Sequence, residues 1–228
     1  MAVLSSDVID RVPERLEKVR ARIKRAGGDP QSVTIVAVTK GFGPQAVLAA
    51  REAGLGDVGE NYGQELLGKA TSPALSCVAG SVKWHFLGAI QRNKLSKLAP
   101  HVYLYQGVSS LHQVTSLSRS RPGAQILLQV DYTGQRQGFL PGEVPSAVEQ
   151  IAGADVKLGG LMTVAPRGGP GPARQAFGSL AELAKTLGLK ELSMGMSDDF
   201  EIAVSEGATM LRLGRALFGP RPKQPDVG

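Results

Sequence analysis

The stretch VTIVAVTKGFG, residues 33–43, opens as a run of valine, isoleucine and threonine, ends on Lys40 and breaks at once into glycines. Branched apolar residues without polar alternation mark a strand buried on both faces, as in parallel sheets. A buried strand that delivers an amine to its last position raises a question, because lysine is mostly an exposed residue. From position alone Lys40 reads as a surface lysine closing a strand, and only its context can change that reading.

The same unit recurs along the chain. Strand-like runs are predicted at DVGE (57–60), KWHFLG (83–88), VYLYQGV (102–108), AQILLQVDY (124–132), KLGGLMTV (157–164), ELSMGM (191–196) and MLRLG (210–214), which with residues 33–39 make eight. Helices are predicted between them at about 44–54, 62–70, 91–98, 110–120, 142–152, 172–188 and 199–206. Residues 7–25 read as an amphipathic helix, with Val8, Ile9, Val12, Leu16, Val19 and Ile23 on one face. Parallel neighbours need a crossover of about a dozen residues. Eight such units predict an α/β fold of the (β/α)8 TIM-barrel kind, a single domain over 1–228 with the N-terminal helix inside 1–30 and a flexible tail at 220–228. A doubly wound open sheet is the alternative. No GxGxxG opens a helix after an early strand, which counts against a dinucleotide-binding version of it.

Composition narrows the class. With 228 residues, 42% hydrophobic and 20% charged, the chain reads as an ordinary globular protein. The net charge of +6 would suit a nucleic-acid partner, but Lys and Arg are spread along the chain and aromatics are 5%. A pocket for an anionic phosphate uses the same charge, and no nucleic-acid partner is expected. The N-terminal residues turn charged too soon for a signal peptide and no run reaches the roughly 20 apolar residues of a membrane span, so the expected address is cytoplasmic, with no membrane partner. The single cysteine, Cys77, excludes an intrachain disulfide and leaves no cysteine cluster for zinc.

Barrels of this type work at the mouth formed by the C-terminal strand ends. Lys40 ends the first strand, Glu60 and Asn61 the second; His85 and Asn93 belong to the third unit, Met162 and Thr163 to the sixth. The seventh supplies Ser193, Gly195 and Ser197, and the eighth carries Arg212 before Gly214. A lysine partly desolvated near other cations can act as an amine nucleophile toward a carbonyl, giving a Schiff base. SMGMS and RLGR offer small residues where such barrels bind phosphate, although Gly195 and Gly214 also suit plain tight packing. Asp198 and Asp199 read as first-turn residues of the following helix with side chains turned away from a phosphate. Arg212, inside an apolar strand, needs a partner: a pyridine nitrogen, or a buried carboxylate such as Glu60. His85 reads as a core-edge histidine, and Met194 and Met196 as core packing. Lysine and phosphate seat together suggest a phosphorylated aldehyde.

VAVTK, GENYGQE, WHFLGAIQRNK, GLMTVAP and LSMGMSDDFEIAVSEGATMLRLGRALFG, in that order over about 33–219, resemble the pyridoxal phosphate homeostasis proteins, the YggS/PROSC family. The resemblance implies a barrel similar to the N-terminal domain of alanine racemase, with pyridoxal 5'-phosphate (PLP) held as a Schiff base on Lys40. It implies Arg212 facing the pyridine nitrogen, Ser197, Gly214 and Arg215 around the phosphate, and Asn61 beside the cofactor. Two departures stand out. GFG follows Lys40 where the family commonly has a Thr-Lys-Pro-like run, and Arg215 replaces a frequent small or hydroxyl residue, leaving the backbone N–H for the phosphate. The implied role is PLP (vitamin B6) homeostasis and amino/keto acid balance without robust catalysis, with PLP-dependent enzymes as clients. Racemases of the related fold use a tyrosine from a further β domain across a dimer, so a monomer is expected here. The competing readings are a PLP-dependent amino-acid racemase of narrow range using Lys40 as its single base, and a phosphate-binding barrel for another aldehyde or sugar phosphate.

Overall fold

β1 (Thr34–Val38) is buried almost throughout and lies between two parallel neighbours, pairing Thr34 with Met210 and Ala37 with Leu213 on one side and Ala37 with Val58 on the other. In the computed structural model, which describes residues 11–220, this pairing continues around a closed ring in sequence order. The ring is a (β/α)8 barrel. Its other strands are β2 (Asp57–Glu60), β3 (Lys83–Phe86), β4 (Val102–Val108), β5 (Ala124–Val130), β6 (Val156–Thr163), β7 (Glu191–Ser193) and β8 (Met210–Leu213), all parallel to their neighbours.

Helices cover the outside: α1 (Val12–Arg25), α2 (Pro44–Glu52), α3 (Gly63–Ala70), α4 (Leu95–Leu98), α5 (Leu111–Ser120), α6 (Val144–Ile151), α7 (Pro170–Thr186), α8 (Phe200–Ser205) and α9 (Arg215–Phe218). Strand alternation sorts the side chains into two cores. Ala37, Val58, Phe86, Ile126, Leu161 and Leu211 join the large cluster between sheet and helices, whereas Val36, Leu104, Leu127, Met162 and Met210 form a separate small one within the barrel.

The differences from the sequence reading have local causes. β7 stops at Ser193 rather than 196 because Gly195 adopts φ +90°, and a Cβ there would lie 2.6 Å from that of Ala203. The helix expected at 91–98 is a 3-10 turn, Arg92–Lys94, followed by one α turn. α9 was not anticipated. The amphipathic helix starts at Val12 among the described residues, with Pro13 in its first turn, where a missing N–H costs little. Its predicted beginning at 7–10 lies outside them, as does the tail expected at 220–228 apart from Pro220. α1 buries Val12, Leu16, Val19 and Ile23. Its polar side reaches the last units of the barrel: Arg15 Nη1 donates to the Leu217 carbonyl at 3.2 Å, and Arg22 meets Glu201 through two hydrogen bonds of 3.0 and 2.8 Å.

Phe218 of α9 has no exposed surface and packs its ring 5.4 Å from that of Phe42 in the loop after β1. Phe218→Ala is expected to cost about 3–5 kcal/mol of unfolding free energy in urea, the usual range for emptying such a site. A loss below about 1 kcal/mol would show that α9 is not part of the cooperative core.

Candidate functional site

The loop that carries Lys40 is pinned before its side chain enters the argument. Thr39 is buried with its hydroxyl donating to Glu60 Oε1 at 2.6 Å, its N–H donating to the Gly59 carbonyl at 3.0 Å, and its carbonyl accepting from Lys69 Nζ at 2.7 Å. Lys69, from α3, also forms an ion pair with Glu60, and both side chains are essentially inaccessible. On the other side of Lys40, the Gly41 N–H donates to Glu65 Oε2 at 2.8 Å. Thr39 therefore faces the helices, whereas Val38 and Lys40 line the cavity at the mouth. Burial pushes the Glu60 carboxyl above the ordinary carboxylate range, with Lys69 and Thr39 opposing. Its Oε2 is buried with no hydrogen-bond partner among the described residues.

Lys40, Asn61, Ser197, Arg212, Gly214 and Arg215 line one cavity of about 490 Å³. Their backbones come from the ends of β1, β2 and β8 and the loop after β7, so the cavity sits at the C-terminal mouth. Phe42, Leu87, Met162, Val164 and Met196 supply apolar wall; Gln129 and Gln137 close one side. Gly88 is required where the loop after β3 crosses Asn61, since a Cβ there would fall 1.8 Å from the Asn61 carbonyl oxygen.

Arg212 is 6% exposed. Its Nη1 donates to Ser193 Oγ and its Nη2 to the Thr163 carbonyl, both at 2.7 Å. Burial lowers its pKa to about 10, with the Asp199 charge opposing, so the guanidinium stays charged at neutral pH. The carboxylate partner considered for it, Glu60, instead serves Lys69. Ser197 Oγ accepts from the Ala216 N–H at 3.1 Å, tying the loop after β7 to the start of α9. Arg215 is exposed and forms an ion pair with Asp198, which links the same two loops.

Two expectations fail here. Asp199 does stand at the N-terminal boundary of α8, but it and Asp198 line the cavity rather than turning away from it. Burial raises the Asp199 carboxyl, while its hydrogen bond from the Met196 N–H and the Arg212 charge pull it down. Met194 is buried as expected, whereas Met196 is 37% exposed on the cavity wall, because the turn at Gly195 carries it out of the barrel. Asn93 is exposed and does not line the cavity, and His85 faces the opposite end of the barrel.

Lys69 and the two glutamines escaped the sequence reading. Lys69 follows Leu66 by three residues, on the buried side of α3, and that placement of a cation was the available signal. Nothing local marks Gln129 or Gln137. Among the described residues no group of three His, Cys, Asp or Glu could hold a metal, and no helix is long and apolar enough to cross a membrane.

The family model of the alanine racemase N-terminal domain matches residues 10–222. The pyridoxal phosphate homeostasis protein of Pseudomonas aeruginosa is 40% identical over 224 residues, covering 92% of this chain and 96% of that one. The human protein of the same name is 34% identical over 229 residues, covering 90% and 83%. The structure of PipY from Synechococcus elongatus with PLP bound superposes with a TM-score of 0.78 at 31% identity, covering 91% of this chain and all of that one.

Lys69→Met should strand Glu60 inside the wall and cost about 3–5 kcal/mol at pH 7, as breaking a buried pair does. Because a raised carboxyl pKa makes the folded state the better proton binder, that loss should shrink as pH falls toward the ordinary glutamate value. Urea melts at pH 7 and pH 5 check both statements, and adding Glu60→Gln should recover most of the stability at pH 7.

Proposed function

The chain belongs to the alanine racemase N-terminal domain family, among the pyridoxal phosphate homeostasis proteins, and on that premise we propose that it holds PLP as a Schiff base on Lys40 and acts in vitamin B6 homeostasis. The observation that carries this reading is the convergence of Lys40, Asn61, Ser197, Arg212, Gly214 and Arg215 on one cavity of ligand size.

The donor set fits the molecule. A lysine amine stands at the strand end to meet an aldehyde, with apolar wall from Phe42, Leu87, Met162 and Met196 beside it. Arg212, a donor that keeps its proton, suits a pyridine nitrogen that accepts a hydrogen bond without being protonated. Ser197, Gly214 and the Arg215 turn form the seat for the phosphate, where Asp198 engages the Arg215 side chain and leaves the main chain as the principal contact. The close crossing of Gly88 over the Asn61 backbone supports a role for Asn61 flanking the ring.

Bound PLP supplies an electron sink for chemistry at an amino-acid α-carbon, and that sink is weaker when the ring nitrogen is unprotonated. An arginine in that place supports holding rather than turning over. The ionisable groups lining the cavity are Lys40, Asp198, Asp199, Arg212 and Arg215, with no tyrosine or histidine among the described residues. The reading is therefore of a carrier that buffers PLP, with delivery to PLP-dependent enzymes as its use and effects on amino/keto acid balance following from it.

Purified protein given one equivalent of PLP should show a visible absorption band that survives desalting, and Lys40→Ala should lose it. A panel of D- and L-amino acids should show racemisation near the uncatalysed background. A retained band in Lys40→Ala would refute the covalent assignment, and saturable racemisation abolished by that substitution would replace the carrier with an enzyme.

A further inference from the structure

Barrels of this size are usually filled by layers of branched apolar side chains. Here a row of polar groups runs through the interior. Arg212 Nη1 donates to Ser193 Oγ at 2.7 Å, and Ser193 Oγ donates to Gln106 Oε1 at 2.6 Å. Gln106 Nε2 lies 2.8 Å from His85 Nδ1, and His85 Nε2 lies 2.9 Å from Asp57 Oδ1. Ser193, Gln106 and His85 have no exposed surface. Asp57, the first residue of β2, opens with His85 onto a second cavity of about 230 Å³ at the opposite end of the barrel, lined also by Lys83, Lys157 and Glu191.

The direction of this row follows from what each group can do. A guanidinium only donates, so Ser193 Oγ accepts from Arg212 and passes its own proton to the oxygen 2.6 Å away. That oxygen must be the amide oxygen of Gln106, which turns the amide nitrogen toward His85, with Met210 Sδ as its other neighbour at 2.9 Å. Nδ1 of His85 then accepts. An imidazole accepting at Nδ1 is neutral and carries its proton on Nε2, the atom that meets Asp57. Burial alone would raise the Asp57 carboxyl, but its hydrogen bond with His85, first among the opposing influences, holds it below its ordinary value, as an acceptor. Reversing Gln106 alone would set its amide oxygen against His85 Nδ1, which would then have to carry a proton and make the imidazole a cation.

We infer that Ser193, Gln106, His85 and Asp57 are positioning residues for Arg212, a one-way hydrogen-bond relay that fixes the guanidinium edge offered to the mouth and anchors it at the far end of the barrel. The relay stands on its own geometry; its consequence for the ring-nitrogen contact rests on the PLP reading of the cavity. Neither Gln106 nor Ser193 was singled out for this purpose by the strand-end logic, because both point inward below the mouth.

Histidine-selective ¹⁵N labelling of the full chain, without PLP, reads the tautomer directly, with His101 and His112 assigned by replacement with Gln. His85 is expected to show an unprotonated Nδ1 and a protonated Nε2. Gln106→Glu puts an acceptor where the donor stood and is expected to protonate Nδ1. A protonated Nδ1 in the wild type, or an unchanged Nδ1 in Gln106→Glu, overturns the relay. A second arm compares PLP with its carbocyclic analogue, which has C–H in place of the ring nitrogen. Ser193→Ala is expected to weaken PLP binding about tenfold, the scale of one hydrogen bond to a charged group, and to leave the analogue unchanged. Equal losses for both ligands overturn the positioning role. Wild-type protein with the expected tautomer that binds neither aldehyde would sink the PLP assignment while the relay stands.

Discussion

A guanidinium buried at the end of β8 is the constraint from which the mouth of the barrel follows. Arg212 remains charged at neutral pH despite its burial, so it must be surrounded by acceptors. It finds them in the Thr163 carbonyl on β6 and the Ser193 hydroxyl on β7, and one side chain thereby ties three successive strand ends together. Asp199, on the loop that follows β7, adds an opposing charge. What is left of the guanidinium looks into the cavity, which makes the structural constraint and the proposed ligand contact two faces of one group.

The wall opposite is built on different physics. Glu60, Lys69 and Thr39 form a charged knot on the helix side of the sheet, and Lys40 follows Thr39 on the cavity side. A buried pair of this kind contributes little net stability compared with apolar packing, but it leaves the backbone few alternative positions. The backbone on either side of Lys40 and the guanidinium of Arg212 are thus each held by polar contacts behind them, which is how a site keeps its geometry when a ligand leaves.

The barrel was legible because its strands are short apolar runs spaced by helix-length segments, and β2 and β4 fall where DVGE and VYLYQGV place them. Boundaries were less so. Nothing in ELSMGM says that the strand ends at Ser193, since the reason is the close approach of Gly195 to α8, a tertiary contact. The mouth was legible for the same reason as the barrel: strand-end positions are countable, and six of them meet in one cavity. Lys69 and Gln106 were not, because each acts from behind the site. Their roles depend on which face of a helix or strand is buried and on what lies across it, information that spacing along the chain carries only weakly. Arg212 was correctly seen to need a partner, but the partner is a hydroxyl and a carbonyl instead of the carboxylate Glu60.

The claim that joins these parts is chemical: one particular amine, among many lysines, condenses with the aldehyde of PLP. Borohydride reduction of protein mixed with substoichiometric PLP, followed by peptide mass mapping, tests it most directly. The account predicts the reduced pyridoxyl phosphate mass on the peptide containing Lys40 and on no other. Labelling spread over surface lysines, or confined to a different one, would contradict it.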